Sequence, residues 1–573
     1  MKRTFSLLLL LQAVIYVVPI HLPAQIFLNQ VGMYPTQEKT AVVEGRVRAN
    51  QVSIVSDATG CRAVRASVLR TAVSPWSKKE RTVVEFSSLR EPGSYTIRCG
   101  RHTARFTIAA DALHSVTAAT LKAFYLIRSG MPIERRYAGH YARPTGHPDT
   151  LVFIHPSAAS PGRPAGSVIS SPGGWYDAGD YNKYVVNSAF SVGILLCCYE
   201  QNRDYFERLC VDIPESDNQT ADVLDELYYN LAWMLTMQDP YDGGVYHKLT
   251  TPSFEAFILP TACRQKRYVV KKTTTATLDF AAVMAQAARL FKGNADYPDF
   301  AGQAARAALA AYGWAERNST QFYRQEQMNR QYRPAVNTGA YDDSNSSDEL
   351  YWAATELYFL TADPHFAEVA AHHQPHRFMA PTWNDVASLG TFEWLSHPST
   401  LTPALNAQLL AYCDSLVTTT ASSSFQTSCG NRARDFGWGC LAQTFGTSGV
   451  ALLYAHRLTG KAQYLTAALQ NADYVLGRNA TGYCYITGFG EYSPLHPHHR
   501  ISAADDIEPP FPGLLVGGPN PAQQDKAERG AHYPSSQPDE SYTDETSSYA
   551  SNEIAINWNA SILALLAWLD ALL

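Results

Sequence analysis

The hydrophobic rhythm of the chain changes near residue 110. From Gln25 to about Ala110 the apolar residues come in short alternating runs, among them QIFLNQVGM, KTAVVEG, RTVVEFSSL and GSYTIRCG. Turn signals such as Asp57-Ala58-Thr59-Gly60 and Pro92-Gly93 separate them, and strands spaced in this way predict an antiparallel sandwich. Beyond Ala110 the spacing is helical, as in NKYVVNSAFSVGILLCCYEQN and TTATLDFAAVMAQAARLF. About eleven or twelve helices joined by loops of unequal length predict an α/α toroid with an inner ring apolar on all sides. A superhelical repeat array is the alternative, but no fixed-period repeat supports it.

The start, MKRTFSLLLLLQAVIYVVP followed by HLPAQ, has a basic end, an apolar run and small residues before a cut after Ala24. This reads as a signal peptide over residues 1–24 of an exported protein, because no later run is long and apolar enough to span a bilayer. The expected division is then a sandwich over 25–110, with no catalytic cluster in it, and a helical domain over 111–573. A near balance of 46 Lys and Arg against 52 Asp and Glu argues against a nucleic-acid partner. The 33 Tyr and 10 Trp suit either sugar stacking or helical cores. Ten Cys lie in no paired CxxC arrangement, and Cys61 with Cys99 is a candidate disulfide.

Three clusters carry chemistry. In SYTDETSSYASNEIAINWNASILALLAWL, residues Ile554, Trp558, Ile562 and Leu566 mark a buried helix, and Glu553 falls in its first turn with Asp544 and Glu545 just upstream. Favourable placement at the positive end of the helix dipole explains an acid there; Asn557, Trp558 and Asn559 suggest instead the wall of a cleft. The loop SSPGGWYDAGDYNKYVV sets Asp177 and Asp180 three residues apart, close enough for one to hold a water while the other takes its proton. A helix-capping Asp180 with a turn Asp177 is the plainer reading. Gly173 and Gly174 allow close backbone approach, and Trp175 and Tyr176 suit a polymer in a groove. In YCYITGFGEYSPLHPHHRIS, His496, His498, His499 and Arg500 crowd around Pro497, which makes a loop of donors to hydroxyl groups and to a carboxylate more than the helical face of a zinc site.

Together these clusters resemble glycoside hydrolase family 9, the inverting endoglucanase family, in the branch with an N-terminal immunoglobulin-like module similar to the opening FLNQVGMYP. Tyr542, Asp544, Tyr549, Glu553, Ala555, Asn559 and Ala560 match its C-terminal signature without a gap. His498 and Arg500 match its His-Arg signature, although Cys484 and Tyr492 depart from it. The resemblance implies an (α/α)6 barrel with Glu553 as general acid, Asp180 as general base, and Asp177 helping to hold the water. Inversion implies carboxyls about 6.5–9.5 Å apart. It also implies that His498, Arg500 and Asp544 orient the sugar, and that Tyr542 and Trp558 serve the cleft. Glu553 must stay protonated near neutral pH, so apolar neighbours or the charge of Asp544 must outweigh the helix dipole.

The loop YDDSNSSDELYWAA is similar to the family's calcium-binding stretch, with Ser344, Asp348 and Glu349 as candidate ligands; without the family it reads as a capped helix start. Structural zinc is not expected, because His147 and His247 have no Cys in the family's places. No organic cofactor is implied. The resulting expectation is a secreted, monomeric enzyme hydrolysing internal β-1,4 bonds of cellulose-like chains, xyloglucan or mixed-linkage glucan with inversion. The alternatives are an exo-acting β-glucan hydrolase of the same family and a non-catalytic glycan-binding protein. A polysaccharide lyase would need a Tyr or His base and basic residues to neutralise a uronate, which Asp177, Asp180 and Glu553 would oppose.

Overall fold

The computed structural model describes residues 26–397 and 401–573, so the signal peptide expected at 1–24 lies outside them. Strands β1 (Ile26–Phe27), β2 (Thr40–Glu44), β3 (Val52–Ser56), β4 (Arg62–Val64), β5 (Ser67–Val73), β6 (Glu80–Glu85), β7 (Gly93–Cys99) and β8 (His102–Ile108) build two four-stranded sheets. Their orders are β1-β2-β6-β5 and β4-β3-β7-β8. Alternation makes β2 and β6 two-faced: Ala41, Val43 and Val84 fill the sandwich core, while Val42 and Val83 join the helical core. Cys99 pairs with Val52 at one end of β3, and Cys61 lies beyond Ser56 at the other. Four residues of strand, about 13 Å, separate the two positions. The expected disulfide is therefore absent, and both thiols are free.

Among the described residues, twelve helices have ten residues or more. These are α1 (His114–Leu126), α2 (Val185–Gln201), α3 (Asp222–Thr236), α4 (Thr274–Leu290), α5 (Phe300–Arg317), α6 (Ser347–Thr361), α7 (Pro364–His373), α8 (Ala387–Ser396), α9 (Thr402–Thr420), α10 (Thr447–Thr459), α11 (Ala462–Val475) and α12 (Ile556–Leu572). The even-numbered helices α2, α4, α6, α8, α10 and α12 are buried along most of their length and form the inner ring. Helix α12 packs on α2 and α10, α2 on α4, and α4 on α6. The result is the expected helical barrel. None of the described helices is long and apolar enough to cross a membrane.

The sandwich is riveted to the barrel by buried charge. Arg478 donates to the Asp473 carboxylate (3.0 Å), to the Gln426 carbonyl (2.9 Å) and to the hydroxyl of Thr40 on β2. Asp473 also accepts from Asn29 of the sandwich at 2.8 Å. Removing one partner of a buried pair leaves an uncompensated charge, so Arg478→Met is expected to cost about 3–5 kcal/mol. Urea unfolding checks this, and a loss below ~1 kcal/mol would show that the rivet is not needed.

One element went unforeseen. A five-stranded sheet, β10-β9-β13-β12-β11, joins β9 (Val152–Ile154), β10 (Val168–Ile169), β11 (Lys183–Tyr184), β12 (Lys248–Thr250) and β13 (Arg267–Val269). Strands of two or three residues carry no readable alternation. Its edge strand β11 runs straight into α2 and thereby fixes the loop that holds Asp177 and Asp180.

Candidate active site

Four chain segments are stitched together at one end of the barrel. Short backbone bridges pair Ala178 with Ala555, His498 with Glu553, and Val516 with Ile554. Glu553 is therefore not in the first turn of the last helix. It follows a short helix, Tyr549–Asn552, and stands in extended conformation before α12 begins at Ile556. Pairing on both sides holds it out of the helix, and the dipole argument does not apply. Its carboxyl is pushed up to about 8 by burial, then by the charge of Asp180 and, less, of Asp177, against the opposing pull of Arg500. Asp544, expected to supply that repulsion, does not do so.

The Asp loop passes directly under Glu553. A Cβ on Gly179 would lie 2.1 Å from the His498 carbonyl oxygen and 3.0 Å from Glu553 Oε1, so only glycine fits there. The Gly179 amide donates to Glu553 Oε1 at 3.3 Å. Asp177 has both oxygens engaged, by Asn187 Nδ2 and by the Tyr341 hydroxyl, each at 2.7 Å. Burial and the neighbouring charge of Asp180 push it up to about 8. Asp180 differs. It does not cap a helix, and Asn182 and Tyr184 all donate to its Oδ2, while no donor among the described residues reaches Oδ1.

His498 donates from Nδ1 to the Thr546 carbonyl at 2.6 Å, which leaves Nε2 unprotonated; burial pulls it down to about 4, so the ring is neutral at ordinary pH. Arg500 grips the carbonyls of Gly179 (2.7 Å) and Glu255 (2.8 Å) and lies over Phe254 and Phe257. His498, Arg500 and Phe254, with Asp177, Asp180, Glu553 and Trp558, line a cavity of about 610 Å³.

Four sequence expectations place differently. Trp175 is in the core, with Nε1 on Glu226 at 2.7 Å and its ring against Phe124. Tyr176 is equally buried and bonds His147 at 3.0 Å. Tyr542 bonds Asn552 at 2.8 Å beneath the site. None of the three lines the cleft; their rings are buried. Asp544 accepts from the amides of Leu495 (2.8 Å) and His496 (2.9 Å) and from Asn552 Nδ2 (3.1 Å), so it holds the His loop without lining the cavity. The cleft's rings are instead Tyr184, Tyr341, Trp383, Trp438, Tyr549 and Trp558. Trp438 and Phe254, 46% and 42% exposed, had no motif to mark them. Lys248 was also missed; it is buried, pulled down to about 7 by burial, and donates to the Gly339 carbonyl at 2.5 Å.

The candidate calcium residues lie behind this wall. Asp348 uses Oδ1 for Asn345 (2.8 Å) and Oδ2 for the Val386 amide (3.0 Å). Glu349 Oε2 and both oxygens of Asp279 on α4 are buried without a hydrogen-bond donor. Burial and then the charge of Asp348 push both Glu349 and Asp279 well above the usual carboxylate range. Ser344 is exposed on the same loop. An all-oxygen set with orphaned carboxylates fits a hard divalent cation. The two histidines weighed for zinc are each engaged by protein: His147 by Tyr176, His247 by Thr273 and the Ala340 carbonyl.

Residues 114–566 match the model of glycosyl hydrolase family 9, and residues 22–104 that of the cellulase N-terminal ig-like domain. The chain belongs to glycosyl hydrolase family 9. It is 51% identical over 553 residues to the xyloglucan-specific endo-beta-1,4-glucanase BoGH9A of Bacteroides ovatus, covering 95% of this chain and 93% of that one. It is 30% identical to endoglucanase D of Acetivibrio thermocellus, covering 95% and 83%. A solved Bacteroides ovatus GH9 structure superposes with a TM-score of 0.91 at 50% identity, covering 96% and 99%. A thermostable endoglucanase of Alicyclobacillus acidocaldarius gives 0.85 at 30% identity, covering 96% and 100%. The immunoglobulin-like module followed by a helical barrel is thus the architecture of this family-9 hydrolase.

Proposed function

We propose that this family-9 hydrolase is an exported endo-acting enzyme that cleaves internal β-1,4-glucosidic bonds of xyloglucan by single displacement with inversion. The observation that carries the reading is one cavity holding a carboxyl kept protonated, Glu553, beside a carboxylate with one unengaged oxygen, Asp180 Oδ1. Glu553 protonates the leaving glycosidic oxygen. Asp180 Oδ1 takes a proton from water, and Asp177, tied by Asn187 and Tyr341, fixes the loop. His498 accepts a sugar hydroxyl at Nε2, and Arg500 secures the Gly179 turn on which both carboxyl groups depend. The name of the Bacteroides ovatus relative supports xyloglucan as the chain, and the leader-like start supports export.

Fresh product anomers followed by NMR test the reaction, with a linear β-1,4-glucan oligosaccharide and a xyloglucan fragment side by side. The α-anomer forms first and the branched chain is cut faster. An initial β-anomer would overturn inversion, faster cutting of the linear chain would overturn the substrate, and release of one small product from chain ends would overturn endo action.

Calcium is assigned to Asp279, Asp348 and Glu349, with Ser344 at the rim. It would supply charge neutralisation and tie down the 339–345 loop that carries Tyr341. Tyr341 has φ 51°, outside the range that a tyrosine adopts readily, so the loop needs holding. Tyr341→Phe removes the buried hydrogen bond to Asp177 and is expected to lower kcat roughly tenfold. Chelation lowers kcat of the wild type by a similar factor and that of Tyr341→Phe little. Additive losses would separate the two.

A further inference from the structure

The closed end of the barrel, opposite the cleft, holds a second cluster that the hydrolytic reaction does not use. Helix α2 leaves the Asp loop at Val185 and runs 17 residues, about 24 Å, to this end. Its last turn presents Glu200. The last turn of α8 presents Glu393, and His397, the residue just after the helix, follows four positions on and so lies on the same face. One ligand atom each from Glu200, Glu393 and His397 lies within 4.8 Å of the others.

Carboxyl groups crowd this cluster. Arg289 on α4 meets Glu393 Oε1 at 2.6 Å, Glu356 Oε2 at 3.0 Å and Glu200 Oε1 at 3.3 Å. One guanidinium thus faces three carboxyl groups, and the only other cationic partner among the described residues is His397, whose Nδ1 meets Glu393 Oε1 at 3.2 Å. Glu393 is 1% exposed, and no hydrogen-bond donor reaches its Oε2. Leaving such an oxygen bare inside a protein is costly. Two helix C-termini converge here as well, and their negative ends favour a cation. On the outer side a cavity of about 420 Å³, lined by Glu200, Ser396, His397, Tyr454 and Arg457, gives access and room for water.

We propose that Glu200, Glu393 and His397 form a structural site for a divalent transition-metal ion of the Zn2+ class, clamping α2 to α8 at the end of the barrel remote from catalysis. An imidazole nitrogen with two carboxylates and a water is a four-coordinate zinc-like set, whereas calcium takes six to eight oxygens. Bonds of about 2.0–2.2 Å require ligand atoms nearer than 4.8 Å, so the site closes on the ion by roughly an ångström. His397, 40% exposed in its side chain, has the freedom to do this. Arg289 stays as the counter-ion on the inner face, and the ion takes the place of the direct His397–Glu393 contact.

The test strips the full-length protein with a chelator and titrates it with Zn2+ alone, and with Ca2+ alone, in wild type, His397→Ala and Glu200→Gln. Metal per chain, calorimetry and thermal unfolding are read together. The wild type takes up one more Zn2+ per chain than either variant, and Zn2+ raises its Tm by several degrees but not theirs. Hydrolysis by His397→Ala stays within about twofold of wild type, because the site is far from the cleft. Equal Zn2+ uptake by wild type and variants, no Zn2+ uptake at all, or a Tm rise that persists in both variants would each overturn the proposal. Glu200→Gln, nearly isosteric, keeps the test decisive should His397→Ala fold poorly.

Discussion

Glu553→Gln lowers the turnover of an unactivated β-1,4-glucan by roughly 10²–10⁴-fold, the usual worth of a general acid, and leaves the fold intact. The decisive comparison is with an aryl glycoside whose phenolate leaves without protonation. There the loss shrinks to about tenfold or less, because the step Glu553 assists is no longer needed. The pH profile adds a second readout. Activity requires the protonated form, so wild-type kcat/KM falls as pH rises through about 8, and this limb disappears in the Gln variant. An equal loss on both substrates would remove Glu553 from the acid's role.

Asp180→Asn is expected to lower turnover by a similar ~10²–10⁴-fold, but on both kinds of substrate, since water must still be deprotonated whatever the leaving group. The same substitution should stabilise the protein. Asp177 and Glu553 have folded values near 8, above their unfolded values of about 4. The stability that goes with such a raised value is fully present below pH ~4 and is lost as pH rises through about 8. Asp180 helps to raise both, so removing its charge recovers part of that loss at pH 7 and raises Tm by ~2 °C or more. It also moves the alkaline limb of the residual activity to lower pH. Retention of full activity, or a lower Tm at pH 7, would contradict the assignment. This is a site that trades stability for function.

How far the sequence reached differs between fold and site. The change from period-two to helical spacing near residue 110 foretold the sandwich and the barrel, because burial of one face imposes its period on the chain. The signature around Asp544, Glu553 and Asn559 foretold the family. Side-chain direction was another matter. Trp175 and Tyr176 flank Asp177 in sequence, yet both turn into the core, while Tyr341 and Trp438, distant in sequence, complete the cleft.

What the sequence by itself determined was the family and the succession of an immunoglobulin-like module and a helical barrel. These follow from local spacing and from residue type. Only the tertiary structure decided that Glu553 stands in an extended bridge rather than a helix, and that Asp180 rather than Asp177 keeps an oxygen free. It also decided that Glu553 is raised by burial and Asp180 and not by Asp544. Each of these depends on burial and on charges brought together from segments hundreds of residues apart, and no local pattern records them.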